Sequence, residues 1–245
     1  MHNYKLTLQY DGTKYNGWQR QGNTANTIQG KLNEIIGKYL GEEIDTAGSG
    51  RTDAGVHACG QVANFKTKNC LNEEQLVKEL NQYLPHDIRV TTVEEMDERF
   101  HARLSAVDKT YEYIIDNGKV SDVFTRKYVW RIEEALDIEA MKVASKHLIG
   151  TCDYTSFCGN KKLKKSAVRT ITDITIEEGN GKIKISYTGN GFLQNMVRIM
   201  TGTLVEVGLN KRKADTIPAI LEAKSREAAG MMAPPEGLFL KCVNY

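Results

Sequence analysis

Residues 48–58 read GSGRTDAGVHA. This stretch places one carboxylate, Asp53, two residues after the guanidinium of Arg51, with small residues on either side. Its glycines allow positive φ angles or close approach to a ligand, and its serine, threonine and histidine supply hydrogen-bond donors and acceptors beside the carboxylate. The composition is therefore typical of a chemical site and not of a packed core element.

Two phosphate-binding interpretations fail on spacing. Gly50 and Gly55 have the gap of a Walker loop, but Val56 and His57 stand where that loop needs Lys and then Ser or Thr. A dinucleotide fingerprint needs a third glycine where Asp53 stands, and a carboxylate there would repel pyrophosphate. A second interpretation stays open at this point. A Gly-rich turn with a local surface ion pair between Arg51 and Asp53 is compatible with the same sequence.

The wider pattern predicts an α+β protein. Period-two alternation over residues 4–10 predicts a strand, and apolar residues at helical spacing predict one helix behind a Thr27 cap and another behind Asn72 that ends at Pro85. Shorter patterns predict strands near 61–66, 88–94 and 108–116, a helix over 138–148, a hairpin turning at 179–181, a helix over 193–207 and a last strand from Leu238. Mixed helices and hairpins favour α+β layers over a doubly wound parallel sheet.

Composition sets further bounds. The chain has 245 residues, of which 40% are hydrophobic and 26% charged, enough to bury a sizeable core in one large or two smaller domains. A net charge of +2 is too small to indicate nucleic-acid binding, so any positively charged binding surface must come from local clusters of basic residues. The five cysteines are odd in number and form no C-x-x-C pair, which argues against a disulfide framework or a zinc ribbon. With no signal segment or membrane span in the pattern, we expect a cytosolic protein.

The stretch 48–58 resembles the motif that carries the catalytic aspartate in tRNA pseudouridine synthases of the TruA family. Other blocks resemble that family in the right order, so the resemblance spans nearly the whole chain. These blocks are YDGTKYNGWQRQ at 10–21, RFHAR at 99–103, KTYEY at 109–113, GFL at 191–193 with MVR at 196–198, and PEGL at 235–238.

The resemblance implies a fold and a site. It implies two ferredoxin-like halves, residues 1–104 and 105–245, whose antiparallel sheets merge around a central cleft. The first half would carry the catalytic Asp53. The second would supply Tyr111, Arg198 and Leu238 to the pocket for the base.

The same resemblance implies a role for each residue. Asp53 would be the nucleophile, or the base that generates a glycal intermediate, and either role needs the ionised carboxylate. Arg198 would keep the pKa of that carboxyl low. Tyr111 would stack on a uridine flipped out of the RNA, Leu238 would pack on its other side, and Arg51 would hold the vacated position or a phosphate. Judged alone, Arg198 fits a helix-surface arginine, and Tyr111 and Leu238 fit strand-core residues. No metal or cofactor is called for.

By resemblance, the substrate is uridine at positions 38–40 in the anticodon arm of tRNA, and the enzyme is a homodimer with no membrane association. Basic clusters predict salt-dependent phosphate contacts without sequence preference. They are Lys161, Lys162, Lys164, Lys165 and Arg169; Arg126 and Lys127; and Lys211, Arg212 and Lys213.

Two other classes of function were compared with this prediction. A zinc nucleobase deaminase also flips bases, but its H-x-E and P-C-x-x-C signature is absent from the sequence. A noncatalytic RNA-binding module with the same fold remains the alternative. The intact aspartate loop argues against it, because such a module would lose nothing by changing Asp53.

Overall fold

Ten β-strands and five α-helices occur in the part of the chain that the computed structural model describes, residues 1–22, 24–160 and 166–245. Most strand pairs are antiparallel, so the predicted α+β class is confirmed. The chain divides into two compact units, Met1–Val107 with Phe239–Tyr245, and Asp108–Leu238. The four lysines of the 161–165 cluster lie outside the described residues.

The first unit is a sheet with two helices. Its elements are β1 (His2–Tyr10), α1 (Ile28–Leu40), β2 (Ala47–Gly48), β3 (His57–Thr67), α2 (Glu73–Tyr83), β4 (Ile88–Met96) and β10 (Leu238–Asn244), of which Leu238 belongs to the second unit. The strands lie in the order β4-β1-β3-β10, and β2 pairs with Ala63 and Asn64 of β3.

Local sequence explains these elements. The alternation in β1 turns Tyr4, Leu6 and Leu8 into the core, where each is fully buried. Helix α1 begins where the Thr27 hydroxyl accepts a hydrogen bond from the Gly30 N–H at 3.2 Å, and α2 begins behind the Asn72 cap. The predicted helix starts are therefore confirmed.

The second unit contains five strands and three helices among its described residues. Its elements are β5 (Asp108–Asp116), β6 (Trp130–Arg131), α3 (Ile138–Lys146), β7 (Gly150–Asp153), β8 (Val168–Gly179), β9 (Lys182–Gly189), α4 (Met196–Gly208) and α5 (Ile217–Ala223). The strands lie in the order β5-β9-β8-β7, with β6 paired in parallel to β5. The predicted hairpin turn is confirmed, and both Asn180 and Gly181 take positive φ there.

Helix α4 begins three residues later than predicted. Asn195 stands immediately before it with φ 59°, in the left-handed region, and Leu193 accepts a turn hydrogen bond from the Met196 N–H at 3.1 Å. A residue in that region cannot continue a right-handed helix, so the predicted start at 193 was wrong. Almost all of α4 is buried.

No helix in these described ranges is long and apolar enough to cross a membrane.

Buried tyrosines predict loss of stability in alkali. Burial raises the pKa of Tyr10 from 10.0 to about 12, and it also raises the pKa of Tyr187. Between pH 10 and 12 the unfolded chain releases these phenolic protons while the folded chain keeps them, so the free energy of unfolding falls as pH rises. Tyr10 alone accounts for about 2 kcal/mol by pH 12. Urea unfolding at pH 8, 10 and 11 measures the effect, and a midpoint that does not fall above pH 10 would contradict it.

Candidate active site

Asp53 lies in the loop that joins β2 to β3. The loop spans residues 49–56, and Asp53 is half-buried in it. The Asp53 carbonyl accepts a hydrogen bond from the Val56 N–H at 3.1 Å, and Gly55 takes φ 78° to close this turn. The turn leaves Ala54 exposed and fixes the backbone that follows the carboxylate.

The segment that follows β1 holds this loop from one side. The Trp18 N–H donates to the Thr52 carbonyl at 3.0 Å, and the Gly55 N–H donates to the Tyr15 carbonyl at 3.4 Å. These two bonds attach the residues on either side of Asp53 to a second piece of backbone.

Two glycines let the backbones approach this closely. A Cβ at Gly17 would lie 2.6 Å from the Thr52 carbonyl oxygen, and φ there is +87°. A Cβ at Gly12 would overlap the Val56 carbonyl group, with 2.6 Å to its carbon atom. No other residue type fits either position without moving the loop.

The holding segment is itself anchored. The Tyr15 hydroxyl donates to the Asp87 carboxylate at 2.5 Å, and the Asp11 N–H donates to the Asp87 carbonyl at 2.9 Å. Burial, followed by the adjacent carboxylate of Asp87, raises the pKa of Tyr15, which keeps the phenol protonated. Asp87 directly precedes β4, so this contact ties the segment to the sheet.

His57 closes the other end of the loop. Its ring is buried, its Nδ1 accepts a hydrogen bond from the Gly12 N–H at 3.0 Å, and the ring stacks on Phe239 with centroids 4.8 Å apart. Asp11 Oδ1 lies 3.2 Å from the same nitrogen.

A buried polar network supports the loop from below. The Tyr10 hydroxyl and Thr52 Oγ1 are 2.7 Å apart, and Gln61 Nε2 donates to the Gly50 carbonyl at 3.1 Å and to the Tyr10 hydroxyl at 3.4 Å. Ser49 Oγ donates to Gln61 Oε1 at 2.8 Å. We call Tyr10, Ser49, Thr52 and Gln61 the loop network. Its members are almost fully buried, so each hydrogen bond is made away from competing water.

Removing one hydroxyl from the loop network should slow turnover more than it weakens binding. Tyr10→Phe leaves Thr52 Oγ1 without its buried hydroxyl partner and removes one of the two acceptors of Gln61 Nε2, and the loop then relaxes around the carboxylate. We expect kcat to fall about tenfold to a hundredfold while KM changes little. Steady-state kinetics measure this split.

Tyr4→Phe is the matched control. Tyr4 lies on the same strand, β1, and its hydroxyl accepts a hydrogen bond from the Leu71 N–H at 2.8 Å, remote in sequence from the loop. An equal fall in kcat in both variants would show that the loop network has only a general structural role.

Arg51 is exposed. It lies on the same loop as Asp53, two residues before it, and its contact with a substrate stays a prediction.

In the second unit, Tyr111 and Leu238 are both buried. Tyr111 lies on β5 and meets Phe192 edge to face, with ring centroids 5.1 Å apart and planes at 78°. Leu238 is the first residue of β10 and follows a short turn at 235–237. The side chain of Tyr113, two residues after Tyr111, donates its hydroxyl proton to the Pro234 carbonyl at 2.7 Å and so fixes that turn.

Arg198 is also buried, which excludes the alternative of a helix-surface arginine. Its Nε donates to the Ala233 carbonyl at 2.7 Å, and its Nη1 donates to Asn195 Oδ1 at 3.3 Å. The Ala233 N–H in turn donates to the Arg198 carbonyl at 3.0 Å. Arg198 therefore fastens the segment that leads to Leu238 onto the start of α4.

The structure thus places Asp53 and Arg51 on one loop of the first unit, and Tyr111, Arg198 and Leu238 in the second unit. That Asp53 meets the other three stays a prediction. Across the described part of the chain, no three histidine, cysteine, aspartate or glutamate side chains form a group that could hold a metal ion.

Comparison with known proteins identifies the family. Residues 7–104 and 144–245 match the family described as tRNA pseudouridine synthase. The chain belongs to this family. Among its relatives, tRNA pseudouridine synthase A 2 of Bacillus cereus is 49% identical over 245 residues, which is 100% of both chains. The tRNA pseudouridine synthase A of Thermoanaerobacter pseudethanolicus is 47% identical over the same full length. Membership makes the chain an enzyme of the isomerase class.

Within this family member, sequence reasoning missed part of the site. The sequence predicts Gln61 only as part of a strand, and Tyr10 as part of a strand and of the N-terminal block, yet both support the aspartate loop. A fully buried glutamine in a strand next to a Gly-rich loop was the available signal, because buried polar side chains need partners.

Proposed function

We propose that this enzyme converts uridine to pseudouridine at positions 38–40 in the anticodon arm of tRNA, with Asp53 as the catalytic residue. The observation that carries the proposal is the aspartate loop. Its backbone is held by the segment after β1, by the loop network and by His57, which is the preorganisation that a reacting carboxylate requires.

The reaction is an exchange of bonds on one nucleotide. The N1–C1′ glycosidic bond breaks, the detached uracil rotates, and a C5–C1′ bond forms. The proton on C5 leaves to solvent and N1 takes up a proton, so no group is transferred and no electron is gained or lost. One ionised carboxylate starts this sequence, either by attack or by removing a proton to give a glycal.

The other site residues receive the base. The target uridine must leave its stack, at a cost of a few kcal/mol, before it reaches Asp53. Tyr111 stacks on the extruded base, Leu238 packs against its other face, and Arg51 occupies the vacated position or binds a phosphate. Arg198 pairs with the Asp53 carboxylate and favours its ionised form.

We further propose that the enzyme works as a homodimer in the cytosol. The described basic residues Arg126, Lys127, Lys211 and Lys213 are candidates for phosphate contacts. The alternative is a noncatalytic RNA-binding module, which would bind tRNA and leave its uridines unchanged.

Site mapping tests the proposal. Wild-type enzyme is incubated with unmodified tRNA transcripts that carry uridine, tritiated at C5, at one of positions 38, 39 or 40, and released tritium is counted. Release from these transcripts is expected, and none is expected from a control transcript that has cytidine at all three positions and C5-tritiated uridine everywhere else. Tight binding without release would favour the noncatalytic module, and release from the cytidine transcript would move the target elsewhere in the tRNA.

A further inference from the structure

The loop between β5 and β6 carries an exposed apolar tip. Phe124 and Val120 are each 87% exposed, and Val123 is 60% exposed. Phe124 is the only phenylalanine among the exposed large hydrophobic residues of the described chain. Single exposed apolar residues are ordinary, but three within five positions mark a surface that contacts a partner. We call residues 118–129 the tip loop.

The base of the tip loop is firmly built. Asp116 is buried, and its Oδ1 accepts hydrogen bonds from Arg131 Nη1 at 3.0 Å and from the Gly118 N–H at 3.1 Å. Arg131 Nη1 also donates to the Gly118 carbonyl at 2.6 Å, and Asn117 Nδ2 donates to the Ile132 carbonyl at 2.9 Å. These bonds join the two ends of the loop across its neck.

The tip itself is a defined turn. Asp122 Oδ1 accepts from the Phe124 N–H at 2.9 Å, and the Asp122 carbonyl accepts from the Thr125 N–H at 3.2 Å. Arg126 Nη1 donates to the Val123 carbonyl at 2.5 Å. The backbone around Phe124 is therefore ordered with the ring directed to solvent, and little conformational entropy remains to be lost when a partner binds.

Charge identifies the class of partner. Lys119, Arg126 and Lys127 are exposed on the tip loop, and Asp122 is its one acidic residue. Two copies of the loop that met across a two-fold axis would bring these cations together, which opposes association. Cations beside an exposed aromatic ring instead match RNA, whose phosphates pair with the cations and whose unpaired bases stack on the ring.

We propose that the tip loop is an RNA-binding element, in which Phe124 stacks on an unpaired base of the tRNA and Arg126 and Lys127 contact flanking phosphates. This inference rests on the proposed function for the identity of the RNA. It adds to that function a contact made by residues outside the predicted base pocket.

Replacing the ring tests the stacking contact. Phe124→Ala should weaken the affinity for a tRNA transcript about 5- to 100-fold, with kcat at saturating tRNA unchanged. Phe124→Tyr keeps the stacking face and should restore the affinity. Tyr83→Ala is the matched control, because Tyr83 is 63% exposed but lies at the end of α2 in the first unit. Unchanged affinity in Phe124→Ala, or equal losses in it and the control, would overturn the proposal.

Salt dependence tests the phosphate contacts. The slope of log affinity against log salt should fall in magnitude by about 0.7 to 0.9 when Lys127→Ala removes one contact. A slope equal to that of the wild type would remove Lys127 from the proposal.

Sedimentation and tritium release separate the remaining outcomes. Phe124→Ala could alter the oligomeric state while its tRNA affinity equals that of wild type at the same protein concentration. The tip would then be an interface between copies, and the RNA proposal would fail. If wild type releases no tritium while Phe124→Ala still weakens tRNA binding, the proposed catalytic function fails and the tip-loop contact stands.

Discussion

Asp53→Asn should lower tritium release from C5-labelled uridine in tRNA by about 1,000-fold or more, while the affinity for tRNA stays close to that of wild type. Asparagine has the size of aspartate, so the backbone bonds that hold the loop can remain. It cannot attack as a carboxylate or accept a proton as one. The loss should therefore fall on kcat, which single-turnover kinetics measure apart from binding.

Asp45→Asn provides the control for this result. It makes the same change in charge at an exposed aspartate of the same unit. The control should release tritium at the wild-type rate. Substantial turnover by Asp53→Asn would assign the chemistry to another group, and lost turnover in both variants would point to charge and not to one carboxylate.

Gly12→Ala should be among the most destabilising single changes in the first unit. The added Cβ would overlap the Val56 carbonyl group, a backbone atom pair that cannot rotate away. Either the segment after β1 or the aspartate loop must move, and both are tied together by hydrogen bonds. We expect the free energy of unfolding to fall by about 3 kcal/mol and turnover to fall with it.

Urea unfolding measures this change against Gly22→Ala. A Cβ at Gly22 meets nothing within 4 Å, so the control should unfold close to the wild-type midpoint. Equal midpoints for the two alanine variants would show that the loop yields easily and that its backbone contacts do not fix the carboxylate.

Local signals predicted much of the fold. The Thr27 and Asn72 side chains cap α1 and α2 as expected, because a cap depends on residues only three positions apart. The alternation of β1 and the turn at Asn180 and Gly181 are equally local.

Non-local features could not be predicted in this way. The two-residue strands β2 and β6 are too short to show a period. The parallel pairing of Phe239 with His57 joins residues far apart in sequence and has no pattern to announce it. The left-handed Asn195 overrode an apolar pattern that continues through Leu193.

The candidate site also has features that depend on local sequence and features that depend on contacts between distant residues. The local sequence around Asp53 was enough to predict a glycine-containing loop and to show the family resemblance. The loop network depends on Gln61 reaching back to Gly50, and the burial of Arg198 depends on Ala233 returning beside α4. Such contacts need the folded chain. The joint pocket of Asp53 with Tyr111, Arg198 and Leu238 stays a prediction.

The strand β10 has a consequence for synthesis of the protein on the ribosome. It pairs with β3 beside His57, its Phe239 stacks on that histidine, and the Tyr245 hydroxyl donates to the Ala102 carbonyl at 2.7 Å. The residues of β10 leave the ribosome only after the whole second unit has been made. A nascent chain therefore carries its aspartate loop for most of translation without the strand that completes the sheet behind it.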